Sequence, residues 1–360
     1  MKREYLNFLQ SASSTGSAPD NLPALTPLQA LGWQPFFSQQ IGLEELETTP
    51  PVRVTEVHRN GLQVIGDGIE LLIPPGPQAT VGDWLLLNQD LPSASKVLER
   101  KSLIQRRAPG KAREIQLIAA NIDTAFIVTS CNADFNIARL ERFVALALEA
   151  DVTPVIVITK ADLTKDTQDF IDQAQQISDT MAVVCLDARG DEPKAKLAQW
   201  VRPGQTLAFL GSSGVGKSTL TNALAETSIE TQSIREDDAK GRHTTSHRQL
   251  YVLPNGCAVL DTPGMREIQL TEAQSGISNL FSDLEELAGQ CRFNDCSHTQ
   301  EPGCAILAGL ESEQIDADRL QRWRKLLAEE AFNSASLAER KAKDKNLGKL
   351  IRQVQKQNRK

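Results

Sequence analysis

No part of the 360-residue sequence holds the ~18 consecutive apolar residues that a membrane-spanning helix requires, so a membrane-embedded role is not expected. The opening residues, MKREYLNFLQSASSTGSAPD, turn polar too early for a secretory leader, and a cytoplasmic protein is expected. Internal repeats are absent. Positive charge is not in excess either: the formal net charge is −7, which argues against indiscriminate binding to polyanions. Cysteine is sparse outside one place. Of six, Cys291, Cys296 and Cys304 fall within a single short stretch, and in a reducing compartment that crowding points to a metal rather than to disulfides.

The charge that is present is unevenly spread. Arg340–Lys360 carries nine basic residues and one acid, a +8 tail on a remainder of −15. A second basic stretch, RKSLIQRRAPGKAR, runs from Arg100 to Arg113. Two such patches on an acidic chain suggest contact with nucleic acid at chosen places.

Residues 1–50 are rich in Ser, Pro, Thr and Gln and read as an arm, with one amphipathic patch docking through Trp33, Phe36 and Phe37. Over 51–105 the text becomes short alternating segments (VRVTEV, LQVIG, IELLI, VGDWLLL) separated by turn formers such as Asn60-Gly61, which suggests a small β-barrel of the OB type. Residues 115–275 read as α/β. Buried strands TAFIVTS, PVIVITK, MAVVCLD, TLAFLG and CAVLD alternate with helical text such as Asn136–Ala150, as expected of a mostly parallel sheet wrapped in helices. Residues 276–360 are expected to be helical, with a metal cluster and the basic tail.

Within the α/β region Gly211-Ser212-Ser213-Gly214-Val215-Gly216-Lys217-Ser218 fits the phosphate-binding pattern G-x-x-x-x-G-K-[ST], between a strand and a helix that begins STLTNALAE with Thr219 in its first turn. Its glycines let main-chain N–H groups turn inward around a β-phosphate, Lys217 reaches the β/γ oxygens, and the Ser218 hydroxyl can ligate Mg²⁺. Asp261-Thr262-Pro263-Gly264 follows the next apolar strand. There Asp261 can hold the Mg²⁺ shell and the Gly264 N–H can sense a γ-phosphate. Between the two lies GRHTTSH (Gly241–His247), which offers Thr244 and Thr245 to a switch segment that closes on Mg²⁺.

At the end of the apolar run PVIVI stands Thr159-Lys160-Ala161-Asp162, close to the guanine-reading Asn-Lys-x-Asp. Its aspartate would accept from guanine N1–H and the 2-amino group, the Lys160 stem would cover the base, and Asp187-Ala188 after the next strand would offer a main-chain N–H to O6. Adenine lacks those donors, and leaving the carboxylate unpaired can support discrimination on the order of 10⁴-fold. Yet this tetrapeptide precedes the phosphate loop, the reverse of the Ras-like order. A parallel sheet depends on which strands are neighbours rather than on the order in which they are visited, so the expectation is a circular permutation. The segment after Gly264 would then run directly into the C-terminal domain and carry nucleotide state to it. Farther on, Cys291-x₄-Cys296-x-His298-x₅-Cys304 offers three thiolates and an imidazole, the closed tetrahedral set of structural Zn²⁺.

Together with VGDW (Val81–Trp84), AANID (Ala119–Asp123) and GRHTT, these motifs resemble the circularly permuted ribosome small-subunit-dependent GTPase A family over roughly residues 50–310. The resemblance implies an OB-fold, a permuted GTPase domain and a zinc-binding C-terminal domain. It implies a monomer that binds GTP, GDP, the small ribosomal subunit and its rRNA, and that hydrolyses GTP in late subunit maturation with subunit-stimulated turnover. It selects Thr245 as the switch threonine and His243 as the group that positions water, since Met265 stands where Ras-like enzymes carry a glutamine. Two departures stand out: Thr159 where the family usually has Asn, which removes an amide that braces the pocket, and Asp187 where Ser or Thr is commoner. The long arm marks a divergent paralogue. The alternative reading is an RNA-binding assembly factor with a near-inert nucleotide pocket.

Overall fold

A computed structural model of the chain describes residues 25–107, 115–225, 249–261, 270 and 272–334. The chain divides into two compact units, Met1–Ile268 and Gln269–Lys360.

The described residues of the first unit begin with three short helices, α1 (Pro27–Ala30), α2 (Pro35–Ser38) and α3 (Leu43–Thr48). Thr26 and Gln29 form a reciprocal capping box at α1, and proline, preset for a first helical turn, begins α1 and α2. As the sequence suggested, the arm docks through aromatic residues. The Trp33 ring meets Trp84 edge-on at 4.7 Å and Phe37 is buried beside it, while Phe36 stays on the outside.

The docking surface belongs to a strand domain. Strands β1 (Pro51–His58), β2 (Gly61–Gly66) and β3 (Ile69–Ile73) form an antiparallel meander, β4 (Trp84–Leu86) pairs with the other edge of β1, and β5 (Lys96–Val97) pairs with β4. The order β3-β2-β1-β4-β5 suits a partly open barrel of the OB type; among the described residues no pairing joins β3 to β5. Its interior holds Val52, Val54, Leu62, Val64 and Leu85. Trp84 is fully buried, which makes it a core residue rather than a base-stacking platform.

A two-stranded ribbon, β6 (Leu103–Arg107) and β7 (Ile115–Ala120), leads into the α/β layer. There β8 (Thr124–Ser130), α4 (Ile137–Glu149), β9 (Thr153–Thr159), α5 (Thr167–Gln175), β10 (Ala182–Cys185), α6 (Glu192–Leu197), β11 (Thr206–Gly211), α7 (Lys217–Ala225), β12 (Gln249–Val252) and β13 (Ala258–Asp261) follow. The spatial order is β10-β9-β8-β11-β13-β12; the first five are parallel and β12 runs antiparallel to β13. Apart from β12, each strand was expected from its apolar run, as both faces of a parallel sheet are covered. Asn136 caps α4, its side chain accepting the Arg139 N–H at 2.9 Å. Glu56 of β1 pairs with Gln249 of β12, so the strand domain and the α/β sheet are continuous.

The second unit contains α8 (Gln274–Leu280), α9 (Ser282–Ala288), α10 (Ala305–Glu311) and α11 (Ala317–Ser334), with no strand among its described residues. No helix among the described residues is long and apolar enough to cross a membrane.

One buried cation ties the first unit together. Arg53, in β1 and 1 % exposed, donates to the carbonyls of Leu31 in the arm, Gly82 before β4 and Asn121 after β7, and to Thr206 Oγ1 at the start of β11 (2.9 Å). Burial lowers its pKa to about 10, while the Asp123 and Asp83 carboxylates oppose that shift and keep it charged. Two of the motifs that carry the resemblance, VGDW and AANID, meet here. Gly82 of VGDW, at φ +91°, packs so close to Ala120 of AANID that a Cβ would lie 2.1 Å from its carbonyl oxygen. Arg53→Met should therefore destabilise the protein by about 3–5 kcal/mol in chemical denaturation, since it takes the shared donor from several buried oxygen acceptors at once. A loss below about 1 kcal/mol would show that the joint is not held by this charge.

Candidate functional site

The phosphate loop lies where expected, between β11 and the N-terminus of α7. Gly211 (φ +140°) lies so close to β8 that a Cβ would meet the Val128 carbonyl oxygen at 2.2 Å, and Gly216 (φ +98°) has Thr159 Oγ1 3.3 Å from its would-be Cβ. No larger residue fits either place without strain. Val215 is buried in the sheet's core and anchors the loop from below. Lys217 Nζ donates to the Gly211 carbonyl at 2.9 Å and also to that of Ser212, while Ser213, Gly214, Ser218 and Thr219 face solvent.

The second part of the site arrives from β9. Thr159 is fully buried, and its hydroxyl lies 2.6 Å from the Val215 carbonyl and 3.0 Å from that of Thr129 in β8. The sequence suggested that Thr here forfeits a brace; instead its hydroxyl supplies one. A single proton serves two acceptors, and the shorter contact goes to the phosphate loop. Lys160 then takes a left-handed conformation (φ +59°), at a cost of order 1–3 kcal/mol, and turns the chain into the 3₁₀ turn Ala161–Leu163 that carries Asp162. β10 lies next to β9, and the Ala161 N–H donates to the Leu186 carbonyl at 3.4 Å, which brings Asp187 and Ala188 alongside. The Asp187 N–H is engaged by Glu192 Oε2 (3.0 Å); the Ala188 N–H has no partner among the described residues and is the one available to a base carbonyl.

Two arginines that sequence reasoning passed over also reach the site. Arg139 in the first turn of α4 donates to Ser212 Oγ at 2.7 Å, and Arg189 pairs with Asp162. Their only advance signal was position, each lying in the segment that follows the C-terminal end of a parallel strand, the side on which such sheets bind ligands. Conversely, residues of the basic stretch that suggested nucleic-acid contact have partners within the protein. Arg100 clasps Asp83 with two hydrogen bonds (2.8 and 2.9 Å), and Lys101 pairs with Asp123 at 2.7 Å. Arg106 Nε donates to Gln116 at 2.9 Å. Asp261 ends β13; its side chain, His243, Thr244, Thr245, Gly264, Met265 and the basic tail lie outside the described residues.

In the second unit Cys291, Cys296, His298 and Cys304 bring their ligand atoms within 4.8 Å of one another. Cys291 and Cys304 sulfurs stand 3.8 Å apart, and each is 3.5 Å from His298 Nδ1. A tetrahedral ion with bonds of about 2.3 Å to sulfur and about 2.0 Å to nitrogen predicts edges of about 3.8 and 3.5 Å, so the donor set fits one metal. The Ala305 N–H donates to Cys291 Sγ at 3.3 Å, the kind of outer contact that steadies a thiolate ligand. By contrast, Cys131 and Cys257 are buried in the first unit, their thiols pushed up to about 12 by burial, which leaves them as core residues.

The family model for the RsgA GTPase matches residues 97–271. A small ribosomal subunit biogenesis GTPase RsgA 2 from Vibrio parahaemolyticus is 47 % identical over 338 residues, covering 93 % of this chain and 94 % of that protein. A small ribosomal subunit biogenesis GTPase RsgA from Mesorhizobium japonicum is 46 % identical over 316 residues, covering 85 % and 91 %. Among solved structures, YjeQ from Thermotoga maritima superposes with a TM-score of 0.58 at 23 % identity, covering 78 % of this chain and 97 % of that one. YloQ, described as a circularly permuted GTPase, gives 0.54 at 24 %, covering 80 % and 97 %. These two likenesses bear on the fold.

The Thr159 brace is directly testable. Thr159→Val keeps the side-chain volume and deletes the hydroxyl, leaving two buried carbonyls short of a donor. It should cost about 1–2 kcal/mol of stability and weaken nucleotide binding several-fold in a fluorescence titration, while Thr159→Ser stays near the parent. Equal behaviour of the Val and Ser variants would remove the brace.

Proposed function

Because the chain belongs to the RsgA GTPase family and is a small ribosomal subunit biogenesis GTPase, we propose that it hydrolyses GTP to GDP and phosphate in late maturation of that subunit, with turnover that rises when the subunit binds. The observation that supports this reading best is the contact of Thr159 with Val215, which sets the start of the base-reading tetrapeptide against the phosphate loop despite their separation in sequence. In this reading the inward N–H groups of Gly214–Ser218 and the Lys217 ammonium bind the β- and γ-phosphates, while Asp162 and the Ala188 N–H read guanine. The exposed Ser218 hydroxyl at the start of α7, with Thr245 and Asp261, would hold Mg²⁺, which neutralises charge on the phosphates when bound. With Met265 offering no amide, His243 orients the water, and docking on the subunit orders its segment. The strand domain and the basic tail bind rRNA, and the protein works as a cytoplasmic monomer.

The carrying experiment is steady-state hydrolysis with purified small subunits. GTP turnover should be slow alone, of the order of 10⁻⁴–10⁻³ s⁻¹ as in unassisted Ras-like enzymes, and rise at least tenfold with small but not large subunits. Lys217→Ala should abolish both rates. Turnover indifferent to subunits, or equal use of ATP, would contradict the proposal.

The four-ligand cluster we assign to zinc in a structural role, because three thiolates and an imidazole fill a tetrahedron and leave no place for a water. Purified protein should carry about one equivalent of zinc, and a chelator should unfold the C-terminal unit, since structural zinc supplies about 10–16 kcal/mol in small fingers. Less than half an equivalent after gentle purification would refute the assignment.

A further inference from the structure

The carboxylate assigned to guanine already has a partner that resembles guanine. Nη2 of Arg189 donates to Asp162 Oδ2. Arg189 is held in place from behind: its main-chain N–H donates to Asp187 Oδ1 at 3.0 Å, and its Nε lies 3.5 Å from the same oxygen. Asp187 is itself anchored, its N–H bonded to Glu192 Oε2, which Lys196 Nζ meets at 2.9 Å. The side chain of Arg189 is otherwise largely exposed, and its described partners are these two carboxylates.

The chemistry of the two donors explains why this matters. The guanine edge that an aspartate reads is N1–H and an amino group joined through C2, a guanidine fragment fixed in a ring. The arginine head group is the protonated, open form of the same fragment. A carboxylate placed to accept from one is placed to accept from the other, and the charged donor is the stronger. Asp162 cannot give the same oxygen geometry to both.

We propose that Arg189 is an internal competitor for the guanine site, a specificity residue that guanine nucleotides must displace and that re-engages Asp162 when they leave. It rests on the assignment of Asp162 to guanine. Asp187, the departure from the commoner Ser or Thr, acts as the positioning residue that keeps Arg189 within reach. The device lowers guanine-nucleotide affinity and hastens release without touching the phosphate loop.

The test uses the full-length protein and titration with a ribose-labelled GDP. Arg189→Ala should tighten binding about fivefold, the scale of an exposed ion pair, through a slower dissociation rate. Asp187→Ser should tighten it less, and Arg189→Lys, which keeps charge but loses the planar fork, should fall between Ala and the parent. Unchanged or weakened binding in Arg189→Ala would overturn the proposal, weakening meaning that the arginine grips the base instead. Asp162→Asn separates the underlying assignment: it should shift preference from guanine to xanthine nucleotides and erase the effect of Arg189→Ala. A shift in Asp162→Asn, with Arg189→Ala silent in the otherwise unaltered protein, sinks the competitor alone, whereas retained guanine preference in Asp162→Asn sinks the site assignment with it. Arg189 is exposed, so unchanged melting temperatures are expected throughout.

Discussion

The first unit's site depends on one hydroxyl. Thr159 stands at the last position of β9, buried beneath the phosphate loop, and its Oγ1 lies within hydrogen-bond distance of carbonyls from β8 and from Val215. A buried carbonyl without a donor costs about 1–3 kcal/mol, so the loop cannot drift from β9 without leaving Val215 unsatisfied. The same contact explains Gly216, whose missing side chain leaves room for Thr159. In the proposed function, reading of the base and grip on the phosphates are therefore mechanically linked. A permuted chain retains this link because β8 sits between β9 and β11 in the sheet whichever strand is made first.

Permutation also gives the first unit a second requirement. The strand domain precedes β8, and the sheet must accept it without disturbing the site at the opposite, C-terminal strand ends. Arg53 solves this at the N-terminal end of β11, through Thr206 Oγ1, while Asp123 Oδ2 accepts the Thr206 N–H at 2.8 Å. Lys101 pairs with Asp123 and Arg100 with Asp83, so the joint is a buried cluster of mixed charge around Arg53. Such a cluster fixes relative position more than it adds stability, because taking its five charges out of water offsets much of their attraction. VGDW and AANID thus read as the joint's main-chain lining, with Gly82 allowing close approach to Ala120.

Much of this was legible beforehand. The strands beneath the site announce themselves as unbroken apolar runs because both faces are covered, and the phosphate loop, TKAD and the cysteine spacing carry their chemistry in residue type and interval. What stayed hidden is long-range. Nothing local distinguishes Arg53, fully buried in mid-strand, from the alternating solvent-facing residue its neighbours suggest. The run from Arg100 read as a basic patch for nucleic acid, yet Arg100 and Lys101 find acids about twenty residues away, and a ribbon strand begins at Leu103. Thr159 looked like a defect because the text shows which group is lost from Asn but not which carbonyls a threonine meets. The pairing of Arg189 with Asp162 is invisible until β9 and β10 are known to be neighbours.

The proposed function requires two stretches about fifty residues apart to form one nucleotide pocket, with Asp162 at the base and Lys217 at the phosphates. A crystal structure of the protein with GDP tests it most directly. The expected result is a single molecule whose guanine N1 and 2-amino groups meet the Asp162 carboxylate at hydrogen-bond distance while its β-phosphate lies in the loop over Lys217. A nucleotide seated in the loop with its base turned away from Asp162 would contradict it.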